Sequence, residues 1–88
     1  MSNHQMLSEQ QIRERAQRAC GGHPYGFEVV SVDNDALSGK PNFSVTVRQP
    51  AKPGNVSDKE WWDAIVAIRN EIEQIQSVSR VYIILADR

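Results

Sequence analysis

The sequence predicts an α+β fold: a two-layer sandwich in the order α-β-β-α-β, with a three-stranded mixed or antiparallel sheet and both helices on one face. Three observations carry this. The stretch from Val56 to Leu85 reads as one amphipathic helix feeding one buried strand, residues 42–48 alternate polar and apolar side chains, and a capping pattern at Ser8 announces an earlier helix.

The first helix opens at Ser8 and Gln11, whose spacing lets each side chain satisfy a backbone N–H of the first turn, with Leu7 and Ile12 at the staple positions. It is expected to reach about Cys20. Gly21 and Gly22 can take the left-handed conformation that closes helices, and Pro24 lies just beyond. Its apolar face is thin: Ile12, Ala16, Ala19 and Cys20. After the turn residues 23–26, a strand from Phe27 to Asp33 puts Phe27, Val29 and Ser31 on one side and Glu28, Val30 and Val32 on the other. Residues 33–42 read as a long hairpin loop.

In the second strand Phe43, Val45 and Val47 form the dry side, and Ser44, Thr46 and Arg48 the wet one. Pro50, Pro53 and Gly54 make a stiff connector to Ser57, which with Glu60 forms a second capping box flanked by Val56 and Trp61. Trp61, Ile65, Ile68, Ile72 and Ile75 then follow at steps of four and three, one stripe at 3.6 residues per turn. The β-branched run from Val78 to Leu85 is the third strand. The expected core joins Ile12 and that stripe to Phe27, Val29, Phe43, Val45, Val47, Val81, Ile83 and Leu85.

With 88 residues, the chain fits one domain over residues 8–88, preceded by a disordered segment at 1–7. Its net charge of -1 gives no overall electropositive field for nucleic acid. The single cysteine forms no internal disulfide and, with two distant histidines, makes no structural zinc site; no metal and no cofactor is expected. No apolar run approaches the length of a membrane span, and the N-terminus carries no targeting pattern, so a soluble, cytoplasmic protein is expected.

No residue pattern names a reaction. With both helices on one layer, the opposite sheet face should expose Val30, Val32, Tyr82 and Ile84 around Arg48, an apolar patch of the kind that binds a protein partner or a second copy as a homodimer. Trp62 joins Val66 beside the helical stripe, placed to seal the sheet edge against the connector or to act as a binding anchor. A non-catalytic protein-interaction module is therefore the reading. One alternative is a nucleic-acid-binding domain using Arg13, Arg15, Arg18, Lys40 and Arg48 with Tyr82, against which stand the dispersed arginines and a lone outward aromatic. Another is an enzyme or enzyme subunit with a site at Cys20, His23 and Tyr25; a thiol at a helix C-terminus, however, faces the wrong end of the dipole for activation.

Overall fold

The computed structural model describes residues 7–34 and 42–85. Within them the order is α1 (Glu9–Gly21), β1 (Glu28–Asn34), β2 (Phe43–Gln49), α2 (Asp58–Glu73) and β3 (Val78–Leu85), the α-β-β-α-β sequence of a two-layer α+β domain. The expected disordered segment lies outside the described residues except for Leu7, which packs against the core. The expected loop lies outside them over 35–41, while Asp33 and Asn34 extend β1.

The sheet order is β1-β2-β3, antiparallel between β1 and β2 and parallel between β2 and β3. Parallel neighbours need a crossover, and α2 is that crossover. It starts where Ser57 Oγ accepts the Glu60 N–H at 3.1 Å, while the Ser57 hydroxyl also lies 3.1 Å from the Glu60 carboxylate. Lys52 ties the connector to the same helix start, its Nζ donating to the Val56 carbonyl at 2.7 Å and standing 3.6 Å from Asp58. In α1 the capping box is complete in both directions. Its far end departs from expectation, because Gly22 caps in the right-handed conformation at φ −71°. Left-handed backbone appears instead at Gly26 and at Ser77, whose carbonyl accepts the Phe43 N–H at 2.8 Å where β3 begins.

The core lies between the layers. Ile12, Ala16 and Cys20 of α1 meet Trp61, Ile65, Ile68 and Ile72 of α2 over Phe27, Val29, Phe43, Val45, Val47 and Val81 of the sheet side. Trp61 is wedged between Tyr25 and Phe27, with ring centroids 5.2 Å away in each case. Ile75 and Ile83, expected as full core members, pack against its margin. Leu85 does not join it: paired with Gln49 at the outer end of an edge strand, it is 75% exposed.

The larger correction concerns β1. Val29 pairs with Val47 and Ser31 with Thr46, so Val30 is an extra residue that the ladder skips. The bulge reverses the alternation after it. Val32, expected on the open face, pairs with Val45 and is buried at 4% exposure, while Ser31 moves to the open side. Val32→Ala is therefore expected to destabilise the domain by about 1–3 kcal/mol, and Val30→Ala by less than about 0.5 kcal/mol, in urea titrations of the two variants. Equal losses would contradict the bulge, which buries Val32 and leaves Val30 exposed.

Candidate functional site: the open edge beside the second helix

Pairing across the three strands fixes what the sheet face without a helix among the described residues presents. Asp33, Ser44 and Arg80 form one row, Ser31, Thr46 and Tyr82 the next, and Glu28, Arg48 and Ile84 the last. The middle of this face is polar. Ser44 is buried in the first row, and Arg48 is ion-paired to Glu28 across the strands. With Val32 in the core, the patch expected around four apolar residues does not form as one piece: Val30 stands at the bulge on one edge, Tyr82 and Ile84 on the other.

The apolar surface gathers instead at β3. Tyr82 is 45% and Ile84 44% exposed on the open face, and Leu85 projects from the helix-side face of the same strand. Around that edge, on α2, Trp62 is 64% exposed and stands beside Val66. Trp62 does not close over the sheet. An open groove of about 350 Å³ runs between α2 and β3, with Trp62, Val66 and Arg69 on one wall and Val81, Tyr82 and Ile83 on the other. A second depression continues it past Arg69 and Glu73, paired at 3.4 Å, to Ser79 and Arg80.

The two sheet edges differ in kind. On β1 the bulge, the charged Glu28 and Asp33, and the side chain of Gln17, which accepts the Val29 N–H at 3.1 Å, all interfere with strand addition. On β3 the segment Val81–Leu85 carries no charge, no proline and no covering element on its outer side among the described residues. The sequence carried a signal for this groove: Trp62, Val66, Arg69 and Glu73 form a second helical line beside the isoleucine stripe. The exposure of Leu85 had none, because alternation assigns a face and says nothing of how far the covering layer reaches.

Of the enzyme alternative, His23 and Tyr25 line one open depression with Glu60 and Asp63, and Cys20 is not in its lining; the arginines of the nucleic-acid alternative stand apart from Arg48 and Tyr82. Arg15 and Arg18 border a shallow cleft with Glu71 and Ile75 between the helices, in the layer opposite the open face that carries Arg48 and Tyr82; Lys40 lies outside the described residues. Cys20 is buried, and burial first and the Glu71 carboxylate second push its thiol up to about 11. That is opposite to activation. Among the described residues no group of three His, Cys, Asp or Glu side chains could hold a metal ion, and no helix is long and apolar enough to cross a membrane.

A raised thiol pKa has a defined sign. The folded state holds the proton more tightly, so its contribution is complete below the ordinary value near 9 and is lost as pH rises toward 11. Unfolding free energy is expected to fall over that window by roughly 1–3 kcal/mol more in the wild type than in Cys20→Ala, measured by denaturant titration at each pH. A Cys20 thiol that reacts with an aromatic disulfide as fast in the folded as in the denatured protein would contradict the burial. The chain matches no family model, no curated protein and no solved structure.

Proposed function

We propose that this domain is a small non-catalytic protein-interaction module that binds a protein partner or itself through the β3 side of its sheet. The observation that carries the reading is an apolar strand edge left open beside a groove, next to a sheet whose other edge is guarded. Tyr82, Ile84 and Leu85 supply apolar contact, and Trp62 supplies the large amphipathic anchor typical of interface centres. Val30 and Arg48 lie across the polar middle of the face and serve, in this reading, as its rim. A cytoplasmic setting accords with a single, free, buried thiol.

Extended chain is the natural ligand of such an edge, since main-chain hydrogen bonds supply affinity while alternate side chains enter the groove. A photo-reactive amino acid at position 84 is expected to give protein adducts in the host cell, whereas the same probe at Glu14 on α1 gives none. Adducts with nucleic acid from position 84, or no adducts from it at all, would overturn the reading.

A further inference from the structure

We infer that the occupant of the β3 edge is a second copy of this chain, joined antiparallel across a two-fold axis at Ile83 so that two sheets become one. The inference rests on the interaction-module reading and names its partner. Backbone direction is the first support. The Phe43 N–H donates to Ser77, so odd-numbered residues of β2 turn their N–H and C=O groups toward β3 and even-numbered ones toward β1. Val29, the partner of Val47, accordingly turns its N–H away from β2, where Gln17 accepts it. By the same parity Val81, Ile83 and Leu85, partners of Val45, Val47 and Gln49, direct their own backbone groups outward.

An axis at Ile83 uses all three. Ile83 meets Ile83 of the second copy, and Val81 meets Leu85, in the closely hydrogen-bonded type of antiparallel pair, each exchanging both N–H···O=C bonds. Tyr82 meets Ile84 of the second copy on the open face, and every side chain in the overlap is apolar or aromatic. Moving the axis to Tyr82 would set Arg80 opposite Ile84, so hydrophobic matching selects Ile83.

The same register matches a projection to a hollow. Leu85 projects on the helix side of its strand, and opposite Val81 it enters the other copy's groove between α2 and β3. Each copy offers one leucine and one groove, as a two-fold contact demands. Area also suffices. The exposed fractions of Trp62, Val66, Tyr82, Ile84 and Leu85 leave on the order of 500 Å² of apolar side chain per copy. Two copies together bring about 1,000 Å² before backbone and rim are added, against roughly 1,200–2,000 Å² for stable interfaces. A net charge of -1 per chain opposes this pairing only weakly.

Sedimentation velocity over a concentration series of the purified 88-residue chain tests the inference. A reversible dimer is expected. Leu85→Asp should weaken it at least tenfold, as should Leu85→Pro, which removes an outward N–H and spares the ladder to β2; Glu14→Lys on α1 should leave it unchanged. Circular dichroism melts check that each variant folds. In a mixed-isotope sample, an inter-chain Hα–Hα contact between Tyr82 and Ile84 reports the register. A chain that stays monomeric while position 84 still cross-links another protein overturns self-pairing and leaves the module reading standing. A dimer indifferent to both Leu85 variants, with no adducts from position 84, overturns both.

Discussion

The parallel pairing of β2 with β3 is the constraint from which the rest of the architecture follows. Strands that run the same way cannot be joined by a tight turn, so the chain must travel back along the sheet, and it does so as α2. The crossover lays α2 over the sheet, puts β3 at an edge, and leaves the flank of the helix beside the outer side of that strand. Groove and open edge are therefore two results of one topological requirement.

The edge is balanced against a protected opposite side. β1 is held from α1 by Gln17, bent by a bulge and flanked by acids, devices that keep an exposed strand from recruiting neighbours. Among the described residues no comparable device acts on Val81–Leu85, where aliphatic and aromatic side chains stand on both faces of the strand. The polar middle of the open face, with Glu28 and Arg48 paired across β1 and β2, further confines apolar contact to the β3 side.

Much of the fold was legible because its signals are local. Ser8 with Gln11, and Ser57 with Glu60, mark helix starts through atoms three residues apart, and the isoleucine stripe fixes the buried face of α2 with no knowledge of what it meets. The candidate site was only partly legible. Tyr82 and Ile84 are exposed as their positions imply and Trp62 stands open where its position allowed a seal on the sheet edge or an anchor, but Val32 is buried, because strand alternation holds only while the ladder is regular. The doublet Val29-Val30 followed by Ser31 and Val32 leaves open which residue is skipped; that depends on Val45 and Val47, which lie on another strand. Leu85 failed for a different reason, since its face was right and the extent of the covering layer was not readable from the strand itself.

The skipped residue has a consequence for how this chain can vary in length. Excising Val30 would leave Glu28, Val29, Ser31, Val32 and Asp33 opposite the same five residues of β2, now as an uninterrupted ladder with each remaining side chain on its present face. Removing Ser31 would seat Val30 in its row with the same result for the core, but removing Val32 would carry Ser31 or Asp33 into it. β1 thus contains one short stretch, at Val30 and Ser31, where an in-frame loss of a codon leaves the buried face intact, directly beside Val32, where it does not.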